Sequence, residues 1–539
     1  MNPRPLALAA VAALLAGCAM TPVQRAPLKL TVLHTNDHHG RFWPNGDGEY
    51  GLAARKTLID KVRAEVKAAG GEVLLLDGGD VNTGVPESDL QDAEPDFKGM
   101  NLLGYDASAI GNHEFDKPLA VLDKQIKWSK FPLLAANIYN KQTGQRLFEP
   151  YRIFERGGYK IAVMGLTTDD TSKMVVQSNI VNVEFRKPAD EAAKLVPELR
   201  SQADMVIAAT HMGHYTDGKS GVNAPGDVEM ARAVKGLDLI VGGHSQNPVC
   251  MAAENKRNDA YVPGQPCAPD KQNGVWIVQA HEWGKYVGRA DFVIDGGKVE
   301  LVKYQLLPVN LKQRVSGQPP KLYGEAIAED GPVREFLKPF QDNGAARLTL
   351  PVGETVGVFD GDRNRVRAQP TNLGVMIARS MMDRTGADLA IMNAGGVRDS
   401  LPEGKVTYRD VLKVQPFGNQ LSLVRLSGAE LLKYLEAVAK MTPGSGAFPQ
   451  TVGVQMVIDA GVLKEARVQG RVIEPQREYR LALNNFTAGG GDGYPKLSDH
   501  PGHVNTGLVD ADVMRAFIAA GSPLKAADFT PPPADVVRR

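Results

Sequence analysis

Five short polar clusters, each placed after an apolar run, constrain the first half of this chain more than any other feature. They are Asp37-His38-His39, Gly79-Asp80, Gly111-Asn112-His113-Glu114, His211 and Gly242-Gly243-His244-Ser245-Gln246. Leu28 to Leu33, Val73 to Leu76, Lys160 to Leu166, Met205 to Ala209, Leu237 to Val241 and Val275 to Gln279 read as strands. Leu52, Leu58, Ile59, Val62 and Val66 recur at near-helical spacing, and residues 188–203 and 226–235 also read as helical. Strands alternating with helices make a layered α/β fold. In an open α/β sheet the loops after the strands face one crevice, so clusters far apart in sequence converge. Taken singly, His34, His38 or His281 reads as a structural or exposed histidine, and a lone GD or GNH marks a turn. Five clusters in this order mark a site, whose carboxylate, amide and imidazole groups suit borderline divalent metals such as Zn, Mn, Fe or Co.

Charge and composition frame that site. Lys and Arg number 62 and so do Asp and Glu, so no global field draws a nucleic acid polymer or an anionic surface, and any anion must be held locally. With 43% hydrophobic and 23% charged residues in 539, the chain is neither disordered nor fibrous, and it is long enough for several domains. Its start reads as an export signal, with Arg4 followed by an uncharged stretch from Pro5 to Gly17 that is too short to span a bilayer comfortably. The stretch ends in Leu15-Ala16-Gly17-Cys18, which resembles a bacterial lipobox and marks Cys18 for lipidation, an ordinary cleaved signal being the alternative. No later stretch is apolar enough for a transmembrane helix, so the lipid anchor is the only expected tie to a membrane. Export implies an oxidising compartment, where Cys250 and Cys267, neither in a CxxC pair, are expected to form a disulfide. Free thiols or metal ligands are the other readings.

A polar stretch of helical character, Val333 to Arg347, divides the chain. The expected organisation is residues 1–27 as signal, lipobox and tether, 28–332 as the first domain, 333–347 as a linker helix and 348–539 as a second α/β domain. The Pro-rich tail from Thr530 is expected to be a loose end. In the second part Arg363 and Arg367 stand four apart, on one face if local structure is helical, and Arg398 follows a glycine-rich turn. Guanidinium forks suit phosphate oxygens, although two nearby arginines alone read as solvated surface. Phe417 and Phe486 are expected in Gly-containing loops, where two rings can sandwich a base. Two core phenylalanines are the alternative.

DxH at Asp37 and His39, GD at Asp80, GNHE at Asn112 and His113, His211, and GHSQ at His244 and Gln246 together resemble the calcineurin-like metallophosphoesterase family. The runs TNDHHGRFW, THMGHY, NAGGVRD, QPFGN and GGGDGYP resemble, more narrowly, the bacterial periplasmic 5′-nucleotidase / UDP-sugar hydrolase family, in order from about Leu28 to the tail. The resemblance implies a layered αββα metallophosphoesterase domain followed by a smaller α/β substrate-binding domain. It implies two divalent metal ions, Zn, Mn or Co, one held by Asp37, His39 and Gln246 and the other by Asn112, His211 and His244. Asp80 would bridge them, and a metal-bridging hydroxide would attack phosphorus. It also implies His113 as the catalytic histidine, oriented by Asp116. Arg363, Arg367 and Arg398 would contact phosphate, Phe417 and Phe486 would stack on the base with Asn419 near it, and Asp492 would meet the ribose hydroxyls. The expected protein is a monomeric, lipid-anchored periplasmic enzyme of a Gram-negative bacterium that removes phosphate from 5′-nucleotides and hydrolyses UDP-sugars or other nucleotide pyrophosphates. Cys18 is a departure, since members of this family are usually soluble. The alternatives are a 2′,3′-cyclic nucleotide phosphodiesterase/3′-nucleotidase and a nucleotide-binding lipoprotein without catalysis.

Overall fold

The computed structural model describes residues 25–175, 179–216, 224–315, 318–532 and 536–538, and Cys18 with its leader lies outside them. Leu28–Thr35 is buried at every position but Lys29, because it runs between layers and not along a surface. It sits inside a six-stranded sheet ordered Lys298–Pro308, Tyr286–Asp295, Leu28–Thr35, Glu72–Asp77, Ala107–Ala109, Leu133–Leu134. The last four strands are parallel and the first two antiparallel. A second six-stranded sheet runs Asp270–Gln272, Val275–Val278, Leu239–Val241, Met205–His211, Tyr159–Thr167, Tyr151–Arg156, with an antiparallel strand at each edge.

The strand Tyr159–Thr167 shows why the sheets stack. Side chains alternate along a strand, so one buried on both faces needs two apolar layers. Ile161 and Val163 join the core shared with Leu33, Leu75 and Ala107 of the first sheet. Ala162, Met164 and Leu166 pack instead with Leu195, Val196 and Leu199 of the helix Pro188–Gln202. The helix Leu52–Ala68 packs against the first sheet, burying Leu52, Ile59, Val62 and Val66 at helical spacing. The layers are therefore αββα. Two sheets, and not the one open sheet assumed for the crevice, supply the five clusters: Asp37, Asp80 and Asn112 follow strands of the first, whereas His211 ends and His244 follows strands of the second.

A helix, Gly331–Leu348, leads to the second domain. Asp330 caps it by accepting from Val333 N at 2.9 Å, with Pro332 in the first turn where no N–H is needed. It lies against the short helix Pro86–Asp89, and the approach is so close that a Cβ at Gly344 would meet Glu87 at 2.8 Å. The second domain is built on a mixed five-stranded sheet ordered Pro449–Val452, Leu389–Asn393, Glu478–Asn484, Gln420–Ser427, His503–Val509, packed with the helices Asn372–Thr385, Gly428–Ala439 and Asp510–Gly521.

The tail corrects an expectation. Val536–Arg538 forms a strand parallel to Val454–Asp459, completing the open edge of a hairpin, and Arg538 donates to Ala439 O at 3.1 Å with its guanidinium over Phe448. Unpaired ladder groups of an edge strand recruited it, and composition alone did not reveal that edge. Cys250 and Cys267 are joined in a disulfide. Among the described residues no helix is long and apolar enough to cross a membrane.

Candidate active site

Asp37, His39, Asp80, His244 and Gln246 all adopt a left-handed backbone, with φ of 51°, 50°, 59°, 76° and 55°. This conformation is costly for residues bearing a Cβ and persists where surrounding contacts enforce it. Those contacts are present. Asp37 N and His39 N donate to Gly79 O and Asp80 O at 2.9 and 3.1 Å, which ties the first two loops together. Glu114, buried, accepts from the backbone N–H groups of Gly111 (2.7 Å), Val81 (2.9 Å), Asn82 (3.0 Å) and Asp80 (3.2 Å), and so fixes the second loop against the third. Glu114 closes the GNHE cluster, but nothing in the local sequence marks it as a holder of backbone N–H groups.

The side chains converge. Asp80 Oδ2 lies 2.8 Å from His211 Nε2 and 3.9 Å from both His39 Nε2 and His113 Nε2. His244 Nδ1 lies 2.9 Å from Asn112 Oδ1, Gln246 Nε2 2.7 Å from His39 Nε2, and Asp37 Oδ1 3.7 Å from His39 Nε2. His39 Nδ1 faces the carbonyls of Asn82 and Thr83 at 2.9 and 2.8 Å, and His211 Nδ1 faces Gly78 O at 2.8 Å. A carbonyl only accepts, so these Nδ1 atoms carry protons and leave Nε2 facing the site, the orientation that metal-ligating histidines adopt. Asp37 Oδ1 and His211 Nε2 are buried without a well-formed hydrogen bond. Two groups, His39 with Asp80 and His113, and Asp80 with His211 and His244, each present ligand atoms close enough to hold one ion. The residues present fit two divalent cations sharing Asp80.

The charges agree with this fit. Burial opposes ionisation of Asp80, yet the imidazoles of His211, His113 and His39 outweigh it and hold the carboxyl well below the usual range. Burial would lower His211, but Asp80 overcomes it and pushes the ring up to about 10. Asp80 thus recruits from a histidine the positive charge that a cation would otherwise supply. Burial lowers His244 to about 4, helped by the charge of His211. His113 Nδ1 lies 2.6 Å from Asp116 Oδ2, which together with Asp80 raises the ring against the effect of burial.

This cluster forms one wall of a cleft of about 430 Å³, within the roughly 300–1,000 Å³ usual for small-molecule sites. The second domain forms the other wall with Arg363, Arg367, Arg398, Phe417, Phe486 and Asp492. Arg363 and Arg367 belong to one helical turn, Arg363–Val366 with Arg367 at its end, started by Asp362 accepting from Asn364 N and Arg365 N. Arg363 donates to Gln246 Oε1 across the cleft. Phe417 lies flat on His113, ring centroids 5.7 Å apart and 9° between planes, and the Arg398 guanidinium stands 5.4 Å from the centroid of the same Phe417 ring. Phe486 stands in a single helical turn, Asn485–Ala488, and not in a loop as expected, because Asn484 caps that turn by accepting from Thr487 N at 2.8 Å. Its ring rests on Gly491, where a Cβ would meet it at 2.5 Å. Asp492 accepts from Asn393 Nδ2 at 2.8 Å, and Asn419 is buried at the cleft floor with its carbonyl accepting from Asp510 N at 2.8 Å. Asn393, Asn364, Tyr215 and Arg257 also line the cleft without any role assigned from sequence. Tyr215 and Asn393 end and begin the runs THMGHY and NAGGVRD, so those two were open to a sequence reading, whereas Asn364 and Arg257 are brought to the cleft by the fold alone.

A dimetal-type cluster at strand ends of an αββα domain, faced by arginines and aromatics of a second domain, defines a two-domain metallophosphoesterase. Residues 30–248 match the calcineurin-like phosphoesterase family, and residues 348–499 match the 5′-nucleotidase C-terminal domain. The chain is 57% identical over 534 residues to protein UshA of Escherichia coli K12, covering 98% of this chain and 97% of that one. It is 54% identical over 534 residues to a 5′-nucleotidase of Vibrio cholerae, covering 97% of each. The crystal structure of a 5′-nucleotidase precursor from Thermus thermophilus superposes with a TM-score of 0.78 at 29% identity, covering 95% of this chain and 99% of that one. This chain belongs to the UshA and 5′-nucleotidase family, and is a nucleotide phosphohydrolase.

Proposed function

We propose that this protein is an exported 5′-nucleotidase that also hydrolyses UDP-sugars or other nucleotide pyrophosphates. The observation that carries the reading is the cleft itself, in which Gln246 of the ligand cluster meets Arg363 of the second domain. Asp37, His39 and Gln246 would hold one cation, Asn112, His211 and His244 a second, and Asp80 both. Zn, Mn or Co bound there would supply an activated water as nucleophile and offset the charge of the phosphoryl group. Arg363, Arg367 and Arg398 grip the phosphate oxygens and orient phosphorus. His113, its Nδ1 engaged by Asp116, turns Nε2 toward the cleft and protonates the leaving oxygen. Phe417 and Phe486 take the base, Asn419 lies beside it, and Asp492 accepts from ribose hydroxyls. Binding both walls at once excludes bulk water and leaves the activated water as the nucleophile at phosphorus.

Export to the Gram-negative periplasm, with lipidation at Cys18, completes the proposal. A disulfide between Cys250 and Cys267 suits an oxidising compartment. The enzyme acts as a monomer. Phosphate release from AMP, UDP-glucose and a 2′,3′-cyclic nucleotide, measured after chelation and after returning each metal, tests the reading. AMP and UDP-glucose should be consumed and the cyclic nucleotide spared. Preference for the cyclic substrate would overturn it, and absence of any release would leave only a binding protein.

A further inference from the structure

Arg257 is a cation in the cleft that the chemistry above leaves unused. It stands on a tight hairpin, Met251–Ala253 paired with Lys256–Arg257. It is half-buried, and its guanidinium makes no hydrogen bond or ion pair with any described residue. The hairpin is well held. The Cys250–Cys267 disulfide closes its base, Asn258 N donates to Cys250 O at 2.7 Å, Met251 N donates to Ala268 O at 2.8 Å, and Arg232 donates to Asn255 Oδ1 at 2.7 Å. Cys250 follows soon after Gln246, so the staple couples Arg257 to the ligand loop. A guanidinium held partly out of water without an acceptor loses hydration and gains nothing unless a ligand supplies the acceptor.

Its position separates it from the other arginines. Arg363, Arg367 and Arg398 reach the cleft from the second domain, whereas Arg257 reaches it from the first. On the proposed function, a phosphoryl group gripped by those three turns its remaining oxygens to the ligand cluster, which leaves Arg257 for another anionic group. We propose that Arg257 is a specificity-determining residue that binds a second phosphoryl group, favouring nucleoside diphosphates and nucleotide sugars over monophosphates. This deepens the proposed function and rests on it.

The test measures binding of non-hydrolysable phosphonate analogues of AMP and ADP to the full-length, metal-loaded protein by calorimetry. Arg257→Gln should weaken the ADP analogue at least about tenfold more than the AMP analogue, with Arg257→Lys between, since lysine keeps the charge and loses the fork. An equal or larger effect on the AMP analogue, or none on either, overturns the proposal. Turnover of AMP and UDP-glucose by the wild type is measured alongside. Failure there sinks the proposed function, while the binding ratio still decides the role of Arg257.

Discussion

The two domains build their walls of the cleft in opposite ways. The first keeps Asp37, His39 and Asp80 buried on strained loops that backbone hydrogen bonds and Glu114 lock in place, with Asn112 and His211 buried beside them. The second presents Arg363 exposed and Arg367, Arg398, Phe417 and Phe486 half-buried, several of them on single helical turns. Groups fitted to fix charge at a point are over-determined, whereas groups proposed to meet a substrate stay accessible. Damage to the first wall should be close to total, and damage to the second graded and substrate-dependent.

Asp80→Ala is the severest test of that contrast. A carboxylate positioned for two cations has no replacement nearby, so metal content and turnover of AMP should both collapse, turnover by roughly a thousandfold or more. Normal metal content with full turnover would remove the dimetal site. Glu114→Ala comes next. It touches no substrate, yet it should cost about ten- to a hundredfold in metal affinity or kcat while circular dichroism shows the fold intact, because outer partners orient the ligands. If the loss matches that of an ordinary surface substitution, the loops hold themselves. On the second wall, Phe486→Ala should cost about tenfold in kcat/KM for AMP and leave a small aryl phosphate unaffected, whereas Phe417→Ala should impair both, since its ring lies on His113. Identical behaviour of the two variants would show that the stack on His113 has no bearing on chemistry.

The smallest effect concerns stability. Burial pushes Asp510 up to about 7 in the folded chain, above the ordinary carboxylate value near 4. The folded state therefore holds a proton that the unfolded state has released, and this contribution is complete below about pH 4 and lost as pH rises through about 7. Asp510→Asn should flatten Tm against pH across that window. An unchanged slope would mean that Asp510 ionises freely in place.

Strand order of appearance and the five polar clusters were legible because each is a local pattern of apolar spacing followed by polar residues, and the helix around residues 333–347 was legible from its own helical character. Strand pairing was not. Nothing in Lys160 to Leu166 says that Ile161 and Ala162 face different cores until the second sheet exists. Glu114 was visible and its role was not, because its partners are backbone N–H groups that every residue owns. The turn holding Phe486 could have been read from Asn484, a good helix cap ahead of Asn-Phe-Thr. The tail strand depends on an unpaired edge elsewhere in the chain.

The left-handed backbones of Asp37, His39, Asp80, His244 and Gln246 have an evolutionary consequence. At each of these positions glycine would relieve the backbone while deleting a candidate ligand, so on the proposed function resistance to heat and catalytic competence pull in opposite directions at the same codons. A lineage or laboratory library selected for thermal survival alone should drift toward glycine or asparagine there and lose its enzyme without losing its fold.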